Sequence, residues 1–205
     1  MQKSAILNLL GLVSNASSIA VVRRDGVSQV KLTYYWMAIE SEFPAQNGQT
    51  VDLKSCSSGQ TIKKVSSKYF EEVKMEGSGQ LTTGQFVNCA GDGCTCFEVV
   101  EGGAKGSKDN VLKPYVSVAA TGFAFGSKLL VEGLKDKSLP SGMKHNGCVR
   151  VDDTGYGLES AQIDLFVFSR KNYEALDAVL PTGQVKVQTN SQCEIKDYTK
   201  DTPSY

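Results

Sequence analysis

Between Val30 and Gln188 the chain is a succession of short apolar runs cut by glycine, a spacing that leaves little room for long helices. Val30 to Ile39 is rich in aromatic and β-branched residues and reads as a strand. Val51–Leu53, Thr61–Val65, Phe97–Val100, Tyr115–Ala120, Gly126–Gly133, Cys148–Asp153, Ile163–Phe168 and Gly183–Gln188 read as further strands. Glu76 to Val87, punctuated by Gly77, Gly79 and Gly84, reads as a hairpin, and Gly102 to Asn110 as a mobile loop. Only Ser66–Lys74, with a serine cap, and Ser169–Val179 look like short helices. Many short strands with so little helix favour a mainly β fold, a small barrel rather than a sandwich. No linker divides the 205 residues, which suffice for one full-sized core.

The N-terminus has the pattern of a secretory leader. Lys3 precedes the apolar stretch Ala5–Val13, and small residues follow at Ala16, Ser17, Ser18 and Ala20. The stretch is too short to span a bilayer. Arg23-Arg24 then resembles a site cut by kexin-type processing proteases. The expected organisation is a signal peptide over 1–20, a short pro-segment over 21–24 ending at the dibasic pair, and a single domain over 25–205. The expected location is extracellular, with no membrane association once the leader is gone.

Three of the 22 basic residues precede Asp25 and no acidic residue does, so the remainder is mildly acidic. That balance gives no reason to expect a nucleic-acid partner. Six cysteines, Cys56, Cys89, Cys94, Cys96, Cys148 and Cys193, form an even set suited to three disulfides in an exported chain. Spacing alone does not choose among the 15 pairings open to six cysteines. Cys94-Thr95-Cys96 has a metal-site look, but His145 is the only histidine and export favours bridges over thiolate ligands. No metal and no cofactor are expected.

His145 lies in a lysine- and glycine-rich loop with no nucleophile elbow nearby, which argues against a hydrolytic triad. The chemistry then falls to carboxylates. Asp152 and Asp153 end a strand and enter the turn Thr154-Gly155-Tyr156-Gly157. Asp164 interrupts the apolar strand Ile163-Asp164-Leu165-Phe166. Alternation leaves two readings of Asp164, a desolvated general acid or the wet face of a half-exposed strand. For Asp152 and Asp153 the plain alternative is backbone capping at a turn.

Tyr115 to Gln188 resembles the 3D domain, named for three aspartates and found in MltA-type lytic transglycosylases and secreted cell-wall proteins. Phe125-Gly126-Ser127-Lys128-Leu129 is similar to the family's first turn. Gly147 to Gly155 is similar to the second-aspartate segment and Gln162 to Phe166 to the third. Leu32 to Trp36 resembles the opening strand, and Met75 to Leu81 a segment of the bacterial members. Two departures stand out: the first family aspartate falls at Ala119, and the glycine pair after the second becomes Gly155-Tyr156.

The resemblance implies a six-stranded double-psi β-barrel with short helices and loop insertions. That fold is also similar to expansins and family 45 endoglucanases, although Met37 follows Tyr35-Trp36 where the latter place a second aspartate. The implied catalytic residues are Asp164, as acid and base, and Asp153. Tyr34, Tyr35, Trp36, Asp152 and Thr154 are the implied substrate-binding residues. The implied activity is cleavage of a β-1,4-linked cell-wall polysaccharide, peptidoglycan- or chitin-like, by a monomer. The alternative is an expansin-like, non-hydrolytic wall-loosening or carbohydrate-binding protein.

Overall fold

The computed structural model describes residues 26–91, 93–155, 157–189 and 191–199. The leader and the dibasic pair lie outside these residues. The chain is mainly β and is built as a barrel with an inserted lobe. Strand β1 (Val27–Tyr35) opens the barrel. The lobe follows as β2 (Ala38–Ile39), β3 (Thr50–Lys54), β4 (Thr61–Ser66), α1 (Ser67–Glu76), β5 (Ser78–Gln80), β6 (Phe86–Ala90) and β7 (Cys96–Val100). The chain then returns to the barrel with β8 (Ser117–Ala120), β9 (Lys128–Val131), β10 (Cys148–Asp153), β11 (Gln162–Phe166), α2 (Arg170–Asp177) and β12 (Gly183–Gln188).

The barrel closes in the order β1-β11-β8-β10-β9-β12. β1 runs parallel to β11 and β8 parallel to β10, and the remaining pairs are antiparallel. Alternation along β1 sends Val30, Leu32 and Tyr34 inward, where they meet Val118, Leu129, Val149, Ile163, Leu165 and Val187. The single strand expected over Val30–Ile39 is two, because the chain leaves the barrel at Trp36-Met37 and enters the lobe. Fully buried Met37 anchors that crossing through its N–H to the Phe168 carbonyl at 2.8 Å.

The lobe has its own core of Phe43, Leu53, Val65, Tyr69, Val73, Leu81, Val87 and Phe97. Helix α1 starts where Ser66 accepts the Tyr69 N–H at 3.0 Å and ends where Gly77 takes a left-handed conformation at φ 78°. Cys56 pairs with Cys96 and Cys89 with Cys94 within the lobe, while Cys148 ties β10 to Cys193 of the C-terminal segment. A small apolar seam of Met37, Ala104, Leu112 and Phe166 joins lobe and barrel.

Candidate active site

The registers of four neighbouring barrel strands place one row of side chains on the outer barrel wall. Thr33 stands opposite Asp164, Asp164 opposite Ala119, and Ala119 opposite Asp153. Adjacent strands are about 4.8 Å apart, so the backbones of Asp164 and Asp153 lie roughly 10 Å apart with Ala119 between them. Ala119 therefore stands where a third carboxylate would abut both aspartates. A β-bulge in β10 brings Asp153 into the row: the pairing steps from Val151 directly to Asp153, leaving Asp152 as the extra residue.

The bulge also turns Asp152 aside. Asp152 is 2% exposed, its carboxylate is gripped by Arg150 at 2.6 and 3.1 Å, and it accepts the Ser117 hydroxyl at 2.6 Å. It is not among the residues that line the cleft, and its contacts are those of a structural ion pair rather than a substrate ligand.

The lobe roofs this row and leaves a cleft of about 980 Å³ along the seam. Asp153, Thr154, Ala119 and Asp164 form its barrel wall, and Met75, Glu76, Gly77, Cys89 and Cys94 its lobe wall. Tyr35, Trp36 and Tyr173 also border it. Both readings of Asp164 contain part of the answer: it faces outward from the barrel core, yet the lobe desolvates it. One carboxylate oxygen is buried without a hydrogen-bond partner. Burial pushes its pKa up to about 6, with Asp153 adding to the rise and a hydrogen bond from Thr33 opposing it.

Burial also raises Asp153, against the pull of the Thr154 and Ser107 N–H groups, each at 2.8 Å. Tyr35 donates its hydroxyl to the other Asp153 oxygen at 3.2 Å. Its own pKa is driven well up, by burial first and then by the neighbouring aspartates. Ser107 lies in the glycine-rich loop expected to be mobile. Within the loop Ala104 and Gly106 are buried while Ser107 to Asp109 are exposed. A Cβ on Gly106 would lie 2.4 Å from the Asp152 carbonyl, so glycine permits the approach that aims Ser107 at Asp153.

The three aromatic candidates separate. Tyr34 packs in the barrel core, with its hydroxyl donated to the Pro181 carbonyl, and is also among the residues that line the cleft. Tyr35 positions Asp153. Trp36 packs on Tyr173 of α2 with ring centroids 4.6 Å apart, making an aromatic edge to the cleft. His145 is remote from the cleft lining and 1% exposed, held between the Tyr115 carbonyl and the Gly147 N–H, each at 2.7 Å.

Glu76 carried no motif that singled it out as catalytic. It is the last residue of α1, and it accepts the Trp36 N–H at 3.3 Å. Burial, opposed by that hydrogen bond and reinforced by Glu72 and Asp164, lifts its pKa to about 7. The signal for it lay in its place within Met75–Leu81, the segment that resembles the bacterial members, just before Gly77, which ends the helix. No cluster suited to a metal ion occurs among the described residues.

No protein-family model matches the chain, and no curated protein matches it by sequence. Solved structures do. MltA from Escherichia coli with bound chitohexaose is 14% identical, with 80% of this chain and 72% of that one covered at a TM-score of 0.51. A membrane-bound lytic murein transglycosylase from Agrobacterium tumefaciens is 10% identical, with 80% and 74% covered at a TM-score of 0.49. MltA from Neisseria gonorrhoeae is 13% identical, with 85% and 67% covered at 0.45. With its closed six-stranded barrel and its likeness to the Escherichia coli structure, the chain has the fold of the MltA-type lytic transglycosylases.

Proposed function

We propose that the chain is an exported enzyme that cleaves β-1,4-linked cell-wall polysaccharide, peptidoglycan- or chitin-like, by lytic transglycosylation. The observation that carries this reading is Asp164, a half-buried carboxyl with one buried, partnerless oxygen on the barrel wall of a cleft in an MltA-type fold. The three disulfides support an oxidising, extracytoplasmic location. The Escherichia coli MltA structure holds an oligosaccharide, chitohexaose, which supports a glycan as the substrate class.

In this mechanism protonated Asp164 gives its proton to the glycosidic oxygen as the bond from C1 to that oxygen breaks. The resulting carboxylate takes the proton of the sugar's own 6-hydroxyl as that oxygen bonds to C1. A 1,6-anhydro end forms, no water is consumed, and Asp164 finishes protonated. Asp153, held by two N–H groups and Tyr35, offers fixed negative charge about two strands away to the cationic transition state. The Trp36–Tyr173 edge offers apolar surface to a sugar face.

Incubation of the purified protein with chitin and with peptidoglycan, followed by mass analysis of soluble products, tests the proposal. Oligosaccharides lighter by one water than hydrolytic fragments of equal length are expected. Asp164→Asn keeps the shape but has no proton to give, so turnover should fall ~10²–10⁴-fold. Full turnover by that variant would end the assignment. Binding to polymer with no soluble product at all would favour an expansin-like role.

A further inference from the structure

Glu76 is a carboxyl that the single-aspartate mechanism does not use, and the one structural duty seen for it is to accept the Trp36 N–H. None of the ion pairs among the described residues includes it; Lys74, two residues earlier on α1, pairs with Glu71 instead. Its one recorded hydrogen bond, from the Trp36 N–H, engages one oxygen of two. A half-buried carboxyl without a cation is costly unless it has work to do.

Its place is informative. Asp164 comes from the barrel wall and Glu76 from the lobe wall of the same cleft. A second cavity of about 430 Å³ adjoins the first, and Tyr35, Glu76, Gly77, Cys89, Asp153 and Thr154 border both. Asn88, Glu98, Lys105 and Asp109 line this second space together with Ala90, Val100 and Leu112, a mixed wall that still offers polar partners to water. Glu76 therefore stands at the junction between the sugar-sized cleft and a second space open to water.

We infer that Glu76 is a second catalytic carboxyl, the base that delivers water to C1, so that the cleft hydrolyses part of its substrate. The inference rests on the reading of Asp164 as the acid of a glycan-cleaving site. Asp164 protonates the glycosidic oxygen as its bond to C1 breaks. Glu76 takes a proton from a water whose oxygen bonds to C1. One water is added, Asp164 is left ionised and Glu76 protonated. Their pKa values are raised to about 6 and about 7, so a single shared proton sits on Glu76 roughly tenfold more often than on Asp164. The form with Asp164 protonated and Glu76 ionised is the minor one, and hydrolysis is expected to be the lesser share of turnover. Opposed carboxyls of this kind are the usual equipment for water attack at a sugar carbon.

The ratio of hydrolytic to anhydro products, resolved by mass, tests this. Wild type should release both. Glu76→Gln keeps an acceptor for the Trp36 N–H, and should cut the hydrolytic share at least tenfold while anhydro output stays within a few-fold. Should that variant melt early, Glu76→Asp serves as the second probe, keeping a carboxylate and part of the hydrolytic share. Wild-type products that are all anhydro, or an unchanged ratio in Glu76→Gln, would overturn the role of Glu76 and leave that of Asp164 standing. Absence of any product from wild type would overturn both.

Discussion

Asp164 is expensive to the fold in its ionised form, and that expense can be measured apart from activity. Its pKa is about 6 in the folded chain against an ordinary value of 3.8. Below about pH 4 the group is protonated in both states and costs nothing. As pH climbs through about 6, the unfolded chain has already lost the proton that the folded chain still holds, so ionisation favours unfolding. The penalty is complete above that range, on the order of 1–3 kcal/mol after allowance for partial exposure. Asp164→Asn should therefore match wild type in denaturant stability near pH 4 and exceed it by that amount near pH 7.5. A gap that does not change with pH would mean that Asp164 ionises freely. An acid of this kind also loses its proton as pH rises, so cleavage should decline through about pH 6. Asp164 stands out in the sequence as a polar exception in an apolar strand, with two readings open, whereas Asp153 is singled out only by the resemblance to the 3D domain, since pattern alone favours a turn-capping role. The wrapping of Asp164 was not legible there, since its roof is folded from residues more than sixty positions away. Nor was the bulge that exchanges the places of Asp152 and Asp153, because a register slip of one residue leaves composition and alternation unchanged.

Helix α1 and strand β5 form the element that carries Glu76 to the cleft, and glycine sets their separation. A Cβ on Gly79 would fall 2.4 Å from the Tyr69 hydroxyl and 2.7 Å from Cγ2 of Val73, both fully buried on α1. Gly79→Ala should therefore push α1 away from β5 and destabilise the lobe by about 1–3 kcal/mol. The same displacement moves Glu76, so the variant should lose hydrolytic product more than anhydro product. A melting temperature equal to that of wild type would show that the helix yields without cost. The helix itself was readable from Ser66, whose hydroxyl both caps α1 and donates to the Phe43 carbonyl at 2.6 Å. The hairpin after it was readable from its glycines, and β5 and β6 pair antiparallel as expected. What local sequence does not encode is the docking: β2, only two residues long, pairs in parallel with β5 and thereby fastens the lobe to the exit of β1. That contact spans forty residues and depends on Met37 burying itself at the crossing.

At the scale of the whole molecule, function depends on two cores held together by a small seam, and the disulfides are divided unequally between them. Two bridges lie in the lobe, and one lies at the barrel. Cys56–Cys96 and Cys148–Cys193 span 40 and 45 residues, and loop-closure entropy assigns each roughly 4 kcal/mol, against about 2 kcal/mol for Cys89–Cys94. A lobe of some sixty residues has a modest core of its own and leans on its bridges more than the barrel does. Access differs at one cysteine only: all four lobe cysteines and Cys193 are partly exposed, whereas Cys148 is fully buried. Graded reduction should therefore open the lobe bridges first. Glu76 and the roof over Asp164 would then be lost while the barrel persists, so cleavage should fail before the barrel's bridge to Cys193 opens. Differential alkylation with peptide mapping reads both events on one sample. Unreduced protein should accept no alkyl group and should show the three pairings given above. Loss of activity that tracks Cys148–Cys193 instead would mean that the lobe holds its shape without its bridges, and that the cleft is secured by the apolar seam of Met37, Ala104, Leu112 and Phe166 alone.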